Sequence, residues 1–187
     1  ALDRLSADLA PDDPQLLPEE VPAGDDEAMA AEVVAWNAVN FGSGWFPQLR
    51  KRPGLSGARS LAEALADHVA REGPPTADWL AGADAATCAS VFDQPLPGPV
   101  DDLLELLAQA WRDLGWLLAE RYDGSAAALV RAAGGSAGAL VETLGSMPLA
   151  HDVATYGEAA ASVEVPFYKR AQITVSHLAR AFDGRGL

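Results

Sequence analysis

Two short runs carry the side chains best suited to chemistry. Residues 39–47 contain Asn40, Phe41, Trp45 and Phe46, and residues 165–173 contain Phe167, Tyr168, Lys169 and Arg170. Planar aromatic faces can hold a nucleobase, and a cation beside them can neutralise a phosphate attached to it. Lys169 stands out because only it and Lys51 are lysines among 13 basic residues. A compact ammonium offers three donors and a tunable charge that arginine cannot imitate. Arg50, Lys51 and Arg52 supply alternative phosphate partners. The competing reading of residues 165–173 is an ordinary helix entrance, with aromatics in the core and the basic pair in water.

Other chemistries find less support. His68, His151 and His177 are far apart and the chain has a single cysteine, so no metal site is expected. Cys88 lies among Ala85, Ala86, Thr87 and Ala89, where an apolar helix face suppresses thiolate formation. Gly42-Ser43-Gly44 lacks the strand and following helix of a phosphate-cradling loop. Gly134-Gly135-Ser136 precedes a predicted helix whose free N–H groups could meet an anion, although a plain interhelical turn is the better explanation.

The charge distribution narrows the ligand class. Of the net −14, most sits in residues 1–32, which hold ten acids and the single base Arg4. The chain therefore lacks the clustered basic surface that a nucleic-acid polymer requires, while a small anion is still admissible. The lone thiol suits a reducing compartment, and the acidic N-terminal segment does not resemble a signal peptide. These features point to a cytoplasmic protein. No membrane partner is expected, because the best apolar stretch, residues 103–118, is broken by Glu105, Arg112 and Asp113.

The elements that must position these residues read as all-α with little or no sheet. Residues 1–25 form an acidic, proline-containing arm, and residues 26–187 a helical domain. Met29, Val33, Val34 and Trp36 mark one face of a helix ending before Gly42. Ser60 and Glu63 have capping-box spacing ahead of Leu61, Leu65 and Val69. Thr76 caps a helix expected to carry Trp79, Leu80, Cys88 and Phe92 on its apolar side. Leu103, Leu104, Leu107, Trp111, Leu114 and Leu118 form the widest stripe and predict the central core helix. Ser125 and Ser136 cap two alanine-rich helices, and Pro148 opens a helix ending near Gly157. The last helix starts close to Pro166. Residues 162–165 alternate like a strand that lacks a partner.

The order and spacing of residues 39–57, 152–156 and 165–173 resemble the queuosine salvage proteins, in particular the queuosine 5′-phosphate N-glycosylase (hydrolase) family. The run 165–173, Val-Pro-Phe-Tyr-Lys-Arg-Ala-Gln-Ile, is its most specific part. The resemblance implies an all-α fold similar to helix-hairpin-helix DNA glycosylases, no metal or organic cofactor, and release of queuine from queuosine 5′-monophosphate. It also implies that the domain is the front part of a longer one, with the family's principal catalytic Asp beyond Leu187. Within the chain, Asp152 and Glu164 are the carboxylates nearest the resembling motifs. Asn40, Phe41, Trp45, Phe167, Tyr168 and Lys169 are the expected binding residues. The alternative is a non-catalytic helical module that binds a nucleotide or a protein partner.

Overall fold

The computed structural model describes residues 25–158 and 162–183. The N-terminal arm, apart from Asp25, lies outside the described residues. Eight helices are described, with one small antiparallel hairpin. No described helix is long and apolar enough to cross a membrane.

Helix α1 (Asp26–Val39) begins where the Asp25 carboxylate accepts from Glu27 N at 2.9 Å. It is buried on nearly every side, from Met29 to Val39, because it runs between other helices rather than along the surface. Helix α2 (Gly57–Glu72) is capped by Ser56, not by Ser60. Ser56 holds extended backbone and accepts from Arg59 N. Ser60 sits one turn inside, buried, and its Oγ accepts from Arg52 N at 3.1 Å, tying the basic loop to the helix.

Thr76 caps as expected, but the single helix expected after it is two. Helix α3 (Ala77–Ala81) stops at Gly82, and α4 (Ala85–Val91) restarts where Asp84 accepts from Thr87 N at 2.7 Å. Helix α5 (Asp101–Tyr122) is the core helix that the leucine stripe predicts. Trp111 is wholly buried in its middle and donates from Nε1 to Ala35 O at 3.0 Å, with the Trp79 and Phe92 rings 5.2 and 5.3 Å away. Gly115 lets α3 approach closely, since a Cβ there would meet Ala77 O at 2.7 Å as well as the Ala81 backbone.

Ser125 and Ser136 cap α6 (Ala126–Ala132) and α7 (Ala137–Gly145). The Glu27 carboxylate adds a second cap to α6, accepting from Ala126 N at 2.7 Å and Ala127 N at 3.1 Å.

Beyond α7 the structure departs from the expected helix at Pro148. Pro148–Ala150 is only a 3₁₀ turn. His151 then leaves helical geometry, and the β-branched and aromatic residues that follow form strand β1 (Val153–Tyr156). Strand β1 pairs antiparallel with β2 (Val163–Pro166), matching Val153 to Pro166 and Tyr156 to Val163. The strand-like run at 162–165 thus has its partner in a segment expected to be helical. Helix α8 (Lys169–Ala181) starts three residues later than Pro166 and packs against α1 and α7.

Candidate functional site

Helix α1 delivers the first run. Asn40 ends the helix, and Phe41 N donates to Val39 O at 2.8 Å as the chain turns. Gly42 has φ +86°, which favours glycine, and a Cβ on it would lie 2.5 Å from Leu103 Cδ1, so a larger residue here would have to displace that methyl of α5. Trp45 N donates back to Gly42 O at 2.9 Å. The rings of Phe41, Trp45 and Phe46 are half-buried, packed on the core at one edge and open at the other.

The hairpin and α8 deliver the second run. Phe167 N donates to Asp152 O at 2.7 Å, which fixes the motif at the exit of β2. The Phe167 ring is 48% exposed and meets Tyr156 edge-on at 6.2 Å. Tyr168 is half-buried on Gly145, where a Cβ would come within 2.9 Å of its Cγ. The Tyr168 ring lies 5.7 Å from that of His151, which is itself held to Gly145 O through Nδ1 at 3.0 Å.

Arg170 joins the runs. Its guanidinium sits 4.9 Å from the centre of the Phe41 ring and 4.0 Å from Asp152 Oδ2. Lys169, by contrast, is exposed and makes no ion pair among the described residues.

The start of α8 is electrostatically unusual. It has no side-chain cap and no acid in its first turn, and Lys169 and Arg170 occupy that turn. Cations at a helix N-terminus oppose the macrodipole, whereas an anion there would be favoured by dipole, backbone N–H groups and side chains together.

The basic loop is differently committed. Arg50 pairs with Asp93 at 3.1 Å, and its backbone is clasped by Gln94, whose amide accepts from Arg50 N and donates to Arg50 O, both at 2.9 Å. Arg52 pairs with Asp67 at 2.7 Å and Glu63 at 3.6 Å. Lys51 is exposed. Of the carboxylates, Asp152 faces Arg170, and Glu164 is exposed on β2 opposite Thr155. Cys88 is fully buried, and burial pushes its thiol far up, away from thiolate chemistry.

Residue type marks Arg170 only as the cation beside Lys169 in the motif and does not reveal its contact with Phe41. Its role shows only in three dimensions.

The family model of the queuosine salvage protein matches residues 22–187. The chain belongs to the queuosine salvage protein family. A curated relative, the queuosine 5′-phosphate N-glycosylase/hydrolase of Sphaerobacter thermophilus, is 38% identical over an alignment of 168 residues that covers 86% of this chain and 49% of that protein. This queuosine salvage family chain spans about half the length of the curated relative it matches.

Proposed function

We propose that this chain provides the nucleotide-holding part of a queuosine 5′-phosphate N-glycosylase, in which Lys169 and the open N-terminus of α8 take the 5′-phosphate. The observation that carries this reading is the first turn of α8, uncapped and bearing two cations, beside the half-open aromatic edge of Phe41 and the exposed ring of Phe167. Arg170 is already engaged by Phe41 and Asp152, so among the described residues the unpaired charge of this turn is that of Lys169. Asn40 and Trp45 shape the wall on the α1 side, and Phe167 or Tyr168 packs against the base. Arg50 and Arg52 are weaker phosphate partners because acids already answer their charges.

Hydrolysis breaks the bond between ribose C1′ and the base nitrogen. Water supplies hydroxyl to C1′, and a proton goes to the departing queuine. Oxocarbenium character on the ribose calls for a carboxylate and an oriented water. Asp152 is tied to Arg170, and Glu164 stands exposed on the hairpin, so the reactive acid is proposed to come from the portion of family length that this chain does not cover. A second reading is a module that binds the nucleotide without cleaving it, favoured by the engagement of Asp152 with Arg170 and the exposure of Glu164 on the hairpin.

Incubation with queuosine 5′-monophosphate, queuosine and ordinary nucleoside monophosphates, with released base and bound ligand measured for each, tests both. Selective binding with release supports the enzyme, and selective binding without release supports the module. Absence of selective binding overturns both.

A further inference from the structure

A small cavity lies beneath Arg170, between α1, α5 and α8 and the turn at 148–150. Its lining includes Asn37, Asp113, Leu149, Arg170 and Thr174, and its volume is about 20 Å³. That is room for one water and far too little for a nucleotide.

The polar groups around it are incompletely satisfied. Asn37 is 2% exposed and donates from Nδ2 to Val33 O at 2.8 Å, leaving its buried Oδ1 without a partner among the described residues. Asp113 is 7% exposed in the apolar stripe of α5 and accepts from Leu149 N through a long 3.3 Å bond. Its sequence neighbour Arg112 points elsewhere, donating to Ala83 O at 2.8 Å and pairing with Glu105 at 2.9 Å. Burial accordingly pushes the Asp113 carboxyl up, against smaller opposing effects of Leu149 N–H and the Arg112 charge. A buried acceptor on a water-sized space, as Asn37 Oδ1 is, is costly unless a donor reaches it, and Asp113 on the same lining can share that donor.

We propose that one internal water donates to Asn37 Oδ1 and to the Asp113 carboxylate, and that this centre makes Asp113 a positioning residue which fastens the 148–150 turn to the central helix. The consequence follows the chain. Leu149 is held to Asp113; three residues on, the Asp152 carbonyl holds Phe167 N at 2.7 Å and the Asp152 carboxylate faces Arg170 at 4.0 Å. The buried centre thereby sets where the aromatic and basic motif stands. Its relevance to nucleotide binding rests on the reading under Proposed function, whereas the fastening itself does not.

The test is amide hydrogen exchange on the unliganded protein, joined to a high-resolution crystal structure. The crystal structure should show one water within hydrogen-bond distance of both Asn37 Oδ1 and Asp113. Asp113→Leu, which removes the acceptor, should speed exchange at Leu149 and Phe167 at least about tenfold and leave Trp111 and Leu114 in α5 protected. Asp113→Asn retains an acceptor oxygen and should keep both amides within about threefold of wild type. An empty or side-chain-filled cavity overturns the proposal. So does unchanged protection of Phe167 in Asp113→Leu, or loss of protection everywhere while Asp113→Asn is indistinguishable from wild type. In a separate arm, queuosine 5′-monophosphate binding should weaken several-fold in Asp113→Leu and recover in Asp113→Asn. Absence of binding by the wild type would sink the nucleotide reading and leave the exchange result standing.

Discussion

Arg170 covers the Phe41 ring with its guanidinium 4.9 Å from the ring centre, linking the first turn of the last helix to the loop that leaves the first. The pair is only partly exposed to water, since the Arg170 side chain retains 22% of its exposure. A partly desolvated cation over an aromatic face contributes about 0.5–2 kcal/mol. A double-mutant cycle with Arg170→Met and Phe41→Leu should therefore give a coupling energy of about 0.5–1 kcal/mol in denaturant unfolding. Strict additivity would show that the contact does not bind the two runs together.

Trp111→Ala should destabilise the protein by about 3–5 kcal/mol, the usual cost of deleting a large buried aromatic. Part of that loss is the bond from Nε1 to Ala35 O. Trp111→Phe restores most of the packing but loses this hydrogen bond, so its stability should fall between those of Trp111→Ala and wild type. Equal stability of Trp111→Phe and wild type would remove the hydrogen bond from the account.

Gly145→Ala probes the aromatic motif from behind. The added methyl would press on Tyr168 Cγ from 2.9 Å, so Tyr168 must move or the α7 to α8 contact must open. Overpacking of this kind costs about 1–3 kcal/mol. The ring resonances of Tyr168 and His151 should shift together, because the rings are neighbours and His151 Nδ1 bonds to Gly145 O. Unperturbed Tyr168 resonances would contradict the packing described.

Glu32 is 9% exposed, and burial raises its carboxyl above the ordinary value. The folded state therefore holds the proton more tightly than the unfolded chain. The associated stabilisation is complete at low pH and is lost as pH rises from the ordinary carboxylate range through the raised folded value. Glu32→Gln should be more stable than wild type at pH 7, with the advantage shrinking as pH falls toward about 4. A pH-independent difference between the two would contradict a raised carboxyl.

The sequence patterns revealed elements well where local physics dominates. The leucine stripe of α5, the burial of Trp111 and the caps at Thr76, Ser125 and Ser136 follow from periodicity and short-range hydrogen bonding. The errors fall where two local solutions compete. Ser56 and Ser60 both precede apolar helical spacing; Ser56 caps the helix, while Ser60 Oγ is engaged by Arg52 N from the preceding loop. Pro148 suits a 3₁₀ turn as well as a helix start, and the β-branched run after it gains strand geometry only by pairing with β2. For the site, the motif residues were nameable by type and by family resemblance. The Phe41–Arg170 contact and the Asn37–Asp113 centre were not, because each joins segments far apart in sequence. Asp113 left one trace, an acid interrupting an apolar stripe.

The most direct test of the central claim is calorimetric binding of queuosine 5′-monophosphate and queuosine to wild type, Lys169→Ala and Lys169→Arg. Loss of a hydrogen bond to a charged group should weaken monophosphate binding by about 1.5–3 kcal/mol in Lys169→Ala, with little change in melting temperature. Lys169→Arg should recover only part of it, and the nucleoside should be nearly indifferent to either substitution. Equal loss of affinity for nucleoside and monophosphate, or a Lys169→Ala protein that chiefly unfolds, would contradict a phosphate role for Lys169 at the head of α8.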